Sequence, residues 1–556
     1  MSADRNLARQ LPRPAATVIL LRDGEAGPEV FMLKRSPSAA FVANAYVFPG
    51  GGLDAADTTA RARVAGITDE VASSHLGVEA GGLDYWIAAV RECFEEAGIL
   101  LAVDESGHEL PAERVAALAA HRDAVNDGSL PFGTLLERER LLIPGDRITY
   151  YAHWITAPGR PRRFTARFFV ALAPAGQHGS HDDAETVESR WVRPREALEA
   201  CARDEIELVH PTRISLEELS AYSCAAEAFE FARNRTDIEA NHSAWANGRD
   251  GRKLFRTGQA PFAEIQWSDP DERGDTGYEL IPGVAKRLDR HVTRLIAPNP
   301  GFMTGPGTNT YLVGERDLAV IDPGPLIDAH VDAILEAGAG RIRWVLCTHT
   351  HLDHSPAAVR IKAATGATVL GRPAPRGGNQ DQAFAPDRIM EHGERLDIGG
   401  VVLRAIHTPG HASNHLCFLL ESTRMLFTGD HVMQGSTVVI NPPDGDMRAY
   451  LASLELLLDE DLAILAPGHG YLIGAPHKEA RRLISHRLAR EAKVVEAMHR
   501  LGPATPEALV AAVYDDVPPK LHPVAMRSLS AHLDKLVIER RAALEAGCWR
   551  YVAHPA

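Results

Sequence analysis

The seven residues Thr348-His349-Thr350-His351-Leu352-Asp353-His354 gather three imidazoles and a carboxylate into an HxHxDH array. In an extended or turning backbone, residues two apart project to the same side. His349 and His351 can therefore grip one cation while Asp353 and His354 face a second. Neutral imidazole suits zinc, and a neighbouring carboxylate lets two ions share charge and hold a hydroxide. A second group is of another kind. Arg91-Glu92-Cys93-Phe94-Glu95-Glu96 continues a helical run that begins at Tyr85, which sets Glu92, Glu95 and Glu96 at i, i+3 and i+4 on one face. Like charges that close repel unless a cation joins them. Ligation by oxygen alone selects Mg²⁺ or Mn²⁺, ions that commonly bridge to substrate phosphates, and Arg91 can pair with Glu95 one turn on.

These groups need elements to position them. Val401 to Ile406 reads as a strand leading to His407-Thr408-Pro409-Gly410-His411. Met425-Leu426-Phe427 stops at Thr428-Gly429-Asp430-His431, and Leu462 to Leu465 precedes Ala466-Pro467-Gly468-His469-Gly470. Each joins an apolar run to a glycine that permits a tight turn and a ligand-type residue at the tip. In the N-terminal half, Ala16 to Leu21 and Val30 to Arg35 read as strands ahead of Val47-Phe48-Pro49-Gly50-Gly51-Gly52, and an insertion separates these glycines from the acidic helix. Residues 241–283, rich in Gly, Asp, Arg and Asn, read as a linker. Toward the C-terminus a helix is predicted over 478–497, bearing Arg481, Arg482, Arg487, Arg490 and Lys493. A short helix follows with Thr505 as N-cap and Pro506 at its first position. A longer one over 523–540 repeats Val524, Met526, Leu529, Leu533, Leu536 and Val537 at amphipathic spacing, and Ala546 to Val552 suggests a small hairpin.

The ordered set of His and Asp loops resembles the metallo-β-lactamase superfamily, in its hydrolase branch with two zinc ions. The resemblance covers roughly residues 285–480 and includes Asn309 to Gly314 and Ala319 to Gly324 as the opening strands. It implies one Zn²⁺ held by His349, His351 and His411, a second by Asp353, His354 and His469, and Asp430 bridging them, with Asp353 and Asp430 also catalytic. Asp322 would order the metal loop by hydrogen bonding, and His407, His415 and His431 would have supporting duty. The glycine run and REXXEE stretch resemble the Nudix hydrolases, over roughly residues 12–240. Against the signature GX5EX7REUXEEXGU the second half is intact, while Leu83 stands where the upstream Glu belongs. The insertion, Trp154 to Pro158, Arg162 to Phe169 and Glu188 to Val192 are similar to the branch that includes acyl-CoA diphosphatases. That resemblance implies Mg²⁺ or Mn²⁺ on Glu92, Glu95 and Glu96, with Glu95 or Glu96 helping to activate water. Glu188 is either an additional acid or a surface residue. The C-terminal helices and hairpin, with Pro442 to Met447 and Tyr450 to Leu454, resemble the winged-helix subfamily that contains a single-strand endoribonuclease and several thioester hydrolases.

The fold class expected is α/β multidomain: a Nudix α/β/α sandwich over 12–240, the linker over 241–283, a metallo-β-lactamase αβ/βα sandwich over 284–485 and a winged helix over 486–556. With 556 residues, 45% of them hydrophobic, the chain is long enough for two to four cored domains. A net charge of -15 argues against a dedicated binder of duplex DNA. Six scattered cysteines without a CxxC pair fit a reducing cytoplasm. Met1 to Pro14 lacks the apolar centre of a signal peptide, and no run approaches the roughly 18 apolar residues of a membrane span.

The activity expected is bifunctional metal-dependent hydrolysis. The di-zinc half would cut an ester or thioester and the Nudix half a nucleoside-diphosphate linkage, with acyl-CoA or a nucleotide derivative as the small-molecule substrate. Thioesters, phosphodiesters and lactams all remain open to the same metal core. The alternative is a single-strand RNA endonuclease, suggested by the subfamily and the basic 481–493 helix, with the Nudix half a ligand-binding module that does not turn over. The winged helix would wall the substrate cleft or form a homodimer contact.

Overall fold

The computed structural model describes residues 11–37, 43–182, 185–236, 238–377 and 379–552. Residues 1–10 of the polar N-terminal stretch lie outside them. The chain divides after Ala244 into two compact units.

In the first unit, β1 (Arg13–Gly24) and β2 (Gly27–Arg35) form a hairpin, with the short strands β3 (Ala45–Val47) and β4 (Gly50–Gly52) beside β2 and β1. Helix α1 (Gly82–Ala97) comes next, then β5 (Ile148–Ile155), β6 (Phe164–Leu172) and β7 (Thr186–Val192). β6 lies parallel to β1 and antiparallel to β5, and β7 pairs with β2. Alternation along β1 splits the core in two. Val18 and Leu20 face α1 through Trp86, Ile87, Val90 and Phe94, while Ile19 and Leu21 face the helices at 210–219 and 225–233 through Leu216, Leu219 and Phe229. The result is an α/β/α sandwich. Helix α1 stops at Gly98, whose φ of 63° is the left-handed cap that favours glycine. Its Leu83 is buried in the core.

The second unit opens where the composition suggested a linker. Residues 241–283 carry a hairpin, β8 (Ser243–Gly248) with β9 (Gly251–Arg256), and a short helix α2 (Phe262–Ser268) whose Phe262, Glu264 and Ile265 are buried. The high polar content misleads because its key acidic group, Glu264, is neutralised inside the fold by Arg294 and Lys286.

Two sheets then stack face to face. One contains β10 (Val292–Ile296), β11 (Asn309–Gly314), β12 (Leu318–Ile321), β13 (Ile342–Leu346) and β14 (Thr368–Gly371). The other contains β15 (Val402–His407), β16 (Leu416–Leu420), β17 (Met425–Gly429) and β18 (Ile464–Pro467). Tyr311, Val313, Ile321 and Leu346 meet Leu403, Ala405, Phe418 and Phe427 between the sheets. The alternate residues Leu312, Val320 and Val345 point outward to the helices at 328–338 and 358–365. Cys417, Leu419, Leu426 and Leu465 point to the helix at 447–458 and to Leu483. Helices outside and sheets inside give the αβ/βα sandwich.

Leu483 belongs to α3 (Pro476–Leu501), a helix that spans two cores: from Val494 onward it packs with α4 (Pro506–Val513) and α5 (His522–Ile538). Thr505 caps α4 by accepting from Ala508 N. The terminal hairpin is longer than its sequence signal. Strands 542–545 and 548–551 pair across Ala546 and Gly547, both at positive φ, so 546–547 is the turn rather than the first strand.

Candidate metal centres

The HxHxDH array leaves the end of β13, and the other three ligand-type residues reach it from loops after β15, β17 and β18. His349, His351, His411 and Asp430 each bring a ligand atom to within 4.8 Å of the others. Asp353, His354 and His469 form a second cluster of the same kind. Asp430 faces both. Its Oδ2 lies 3.6 Å from His411 Nε2, and its Oδ1 lies 3.4 Å from His354 Nε2 and 3.3 Å from His469 Nε2.

The outer hydrogen bonds decide which ring atoms face inward. His411 Nδ1 donates to Val439 O at 2.9 Å, His469 Nδ1 to Gly307 O at 3.2 Å, and His354 Nδ1 to Asp322 Oδ2 at 3.0 Å. Thr348 Oγ1 donates to Asp322 Oδ2 and accepts from His349 Nδ1 at 3.0 Å. In all four rings Nδ1 is occupied, and Nε2 is left for the interior. There His349 Nε2 and His411 Nε2 lie 2.9 and 3.0 Å from a single atom, His351 Nδ1. One ring proton cannot serve both contacts. Among the described residues, His354 Nε2, His469 Nε2 and Asp430 Oδ1 are buried without a hydrogen-bond partner. Convergent nitrogen lone pairs and the orphaned Asp430 Oδ1 fit a pair of cations.

The electrostatics agree. Burial and the neighbouring imidazoles hold His349 well below its usual range and push His351 down to about 3. His469 is raised to about 9 because the carboxylates of Asp430 and Asp353 outweigh its burial. His354 is likewise raised, by Asp353, Asp430 and Asp322 against burial. Asp353 and Asp430 are lowered by His354 and His469, again against burial. His349 and His351 thus present neutral imidazoles, and the second cluster demands positive charge.

Supporting contacts include several that the motifs did not reveal. Asp322 receives Thr348 N at 2.7 Å besides the bonds above, as the resemblance implied. His415 stacks on His349 with centroids 5.1 Å apart, while His431 packs edge-on against Tyr450. Thr350, buried inside the array, bonds Gln380 and receives Asn414, and Gln380 donates to Asp444. The loop after β18 is held by Asn309, which donates to Pro467 O and Gly470 O, each at 2.9 Å, and by Tyr311, which donates to Pro467 O at 2.8 Å. Polar residues far apart in sequence carry no periodicity that would single them out.

In the first unit, Glu92, Glu95 and Glu96 share one face of α1 beside the glycines of β4. Gly50 N donates to Glu96 at 2.9 Å, and a Cβ on Gly51 would stand 2.4 Å from Glu92 Oε1, so glycine is what admits that carboxylate. Arg91 bonds Glu92 and Glu95 at 2.8 and 2.9 Å. It also meets a residue the sequence reading missed: Asp57, 2% exposed, accepts from Arg91 Nε at 2.8 Å. Leu83 supplies no carboxylate here, and Asp57 does. Burial raises Glu95 to about 7 against the pull of Arg91. Burial also raises Glu92 and, together with repulsion from Glu92, Glu96. Glu185 adds negative charge to this group, whereas Glu188 is engaged with Lys34 and Tyr46.

Comparison with known proteins follows the same division. Residues 303–469 match the Metallo-beta-lactamase superfamily, 61–219 the NUDT19 Nudix domain and 505–549 the Beta-lactamase associated winged helix domain. The lactamase-like protein adaB of Aspergillus niger is 30% identical over 305 residues, covering 51% of this chain and 92% of that protein. The chain belongs to the metallo-beta-lactamase superfamily. The atrochrysone carboxyl ACP thioesterase of Aspergillus chevalieri is 31% identical, covering 53% of this chain and 94% of its own. The beta-lactamase-like protein 2 homolog of Drosophila melanogaster is 32% identical, covering 46% and 91%. This superfamily member, with its Nudix domain and winged helix, is a metal-dependent hydrolase that uses divalent cations. Among the described residues, no helix is long and apolar enough to cross a membrane.

Proposed function

We propose that the metallo-β-lactamase half hydrolyses an ester or thioester, and that the Nudix half hydrolyses a nucleoside-diphosphate linkage. The observation that carries the first part is the inward convergence of His349 Nε2, His351 Nδ1 and His411 Nε2 beside Asp430, next to Asp353, His354 and His469. In this reading the first three hold one Zn²⁺, the second three another, and Asp430 bridges. Imidazole-rich ligation favours zinc. When bound, the ions supply concentrated positive charge that acidifies water and polarises the scissile bond. The chain's own contribution is orientation: Asp322, Thr348, Val439 O and Gly307 O fix the ring faces, and Asp353 and Asp430, kept as carboxylates by His354 and His469, would orient the attacking water by accepting a hydrogen bond from it. In the Nudix half, Glu92, Glu95 and Glu96 would hold Mg²⁺ or Mn²⁺. Glu95, poised near neutrality, is suited to take a proton from attacking water.

Two relatives are named thioesterases, the ACP thioesterase above and pkgB of Emericella nidulans, which is 35% identical over 239 residues. Acyl-CoA is the economical substrate, since it offers a thioester to one half and a diphosphate to the other. Domains at 12–240, 284–485 and 486–556 belong to this reading, with 241–283 now joined to the metal half through Glu264. So do a reducing cytoplasmic setting, in keeping with six free thiols, and the winged helix as a cleft wall or dimer contact. The RNA alternative draws less support from the basic helix, where Arg482 pairs with Glu479, Arg490 with Asp516 and Lys493 with Asp515, and rests mainly on the subfamily resemblance. The test is acyl-CoA turnover by single variants. His349→Ala should abolish thioester cleavage and spare diphosphate cleavage, and Glu95→Gln should do the reverse. Thioesterase activity unchanged in His349→Ala sinks the assignment.

A further inference from the structure

His469 contributes to the second cluster from a loop, and its neighbours Gly470 to Leu472 touch a buried charge cluster outside the metal motifs. Glu264 and Arg294 are each 1% exposed and make a two-bond pair, Nη1 to Oε2 at 2.5 Å and Nη2 to Oε1 at 2.8 Å. Lys286 adds a third contact to Glu264 at 2.6 Å. Both members of the pair then reach the metal loop: Leu472 N donates to Glu264 Oε2 at 3.2 Å, and Arg294 Nη1 approaches Gly470 O at 3.4 Å. On either side the same segment grips the same loop. Tyr471 Oη donates to Tyr278 O at 2.8 Å, and a Cβ on Gly474 would come 3.2 Å from Ala263 Cβ.

A buried ion pair is a poor source of stability, because desolvating both charges costs about as much as their attraction returns. What it supplies is a fixed geometry. The loop fixed here is the one whose first residue past the tip, Gly470, follows His469 directly. We infer that Glu264, through Arg294, is a positioning residue for His469, so that the segment at 262–294 sets the second metal centre and not the first. The first centre draws on His349, His351 and His411, none of which touches this cluster in the contacts above. The inference rests on the two-ion reading of the site.

The test is a Zn²⁺ count on the full chain by elemental analysis, together with the visible spectrum of protein loaded with Co²⁺ alone. Glu264→Gln keeps the side-chain shape and removes the charge. It is expected to weaken the second ion by about 10- to 100-fold, as loss of an outer contact does in other sites, with the first ion bound as in wild type. The Co²⁺ bands lost or shifted should be only those that His469→Ala also removes. Because Glu264→Gln leaves Arg294 unpaired in the core, the double variant E264M/R294M, which removes both charges together, should show the same selective loss. Two ions retained in both variants, or both ions weakened equally, overturns the inference while leaving the two-ion reading intact. A wild type that binds only one ion overturns that reading and this inference with it.

Discussion

At the scale of single residues, what distinguishes the proposed two-ion site is how little room surrounds it. Gly468 shows this. A Cβ placed there would stand 2.7 Å from Asp430 Oδ1 and 2.8 Å from His354 Cε1, both inside ordinary contact. These neighbours are anchored, one by its backbone turn and the other by Asp322, so neither can retreat without turning its ligand atom away. Gly468→Ala should therefore reduce metal affinity by about 10- to 100-fold and, because the added methyl also meets the backbone at Gly429 C, lower the unfolding midpoint of the metal-free protein as well. Metal titration beside thermal unfolding checks this, and unchanged affinity would show that the loop has slack. Asp57 is the corresponding lesson in the first unit. The signature's upstream Glu is absent at Leu83, yet Arg91 has a buried carboxylate at 2.8 Å. The departure from pattern therefore leaves Arg91 as firmly held as its place between Glu92 and Glu95 requires.

At the scale of elements, α1 stores a conflict that a cation would relieve. Three carboxylates on one face are all raised, Glu95 from 4.5 to about 7, chiefly by burial. A raised carboxyl holds a proton in the folded state that the unfolded chain has already released. Its stabilising contribution is then complete below 4.5 and is lost as pH rises through about 7. The first unit should accordingly unfold at a lower temperature on the alkaline side of that window, and Mg²⁺ should restore it by replacing the missing protons with charge. Glu96→Gln, whose amide oxygen can still accept from Gly50 N, should flatten both the pH dependence and the Mg²⁺ effect. If Mg²⁺ leaves the alkaline unfolding transition of wild type unmoved, these carboxylates do not share an ion. Elements also show where sequence reading works. The HxHxDH array and the strand-then-glycine loops were legible because ligand spacing and strand ends are local signals. The hairpin turn at Ala546-Gly547 and the folded 241–283 segment were less so: the first depends on pairing register, and the second on Glu264 finding Arg294 thirty residues away in sequence. A polar composition reads as a linker until its charges are seen to cancel.

At the scale of the whole molecule, the proposed function gives one chain two metal chemistries that differ in kind. One centre is built mainly from imidazole, the other from carboxylates alone, and ligand softness separates the ions they prefer. That difference makes the two halves chemically addressable without mutation. A nitrogen chelator such as phenanthroline competes for zinc and binds Mg²⁺ poorly, so it should stop ester or thioester cleavage and leave diphosphate cleavage running in excess Mg²⁺. Withholding Mg²⁺ and Mn²⁺ should do the opposite, since the imidazole centre retains its ions on dilution. With acyl-CoA as substrate, product analysis separates the outcomes: free CoA from thioester cleavage in the second condition, and an acylated phosphopantetheine fragment from diphosphate cleavage in the first. On this reading the order of the two cuts need not be fixed, because the bonds lie at different places in the molecule and each centre would act on its own. If phenanthroline stopped both cleavages together under excess Mg²⁺, a single imidazole centre would be serving both bonds, and α1 would be left with a structural role in which Asp57 and Arg91 merely neutralise a buried acidic face.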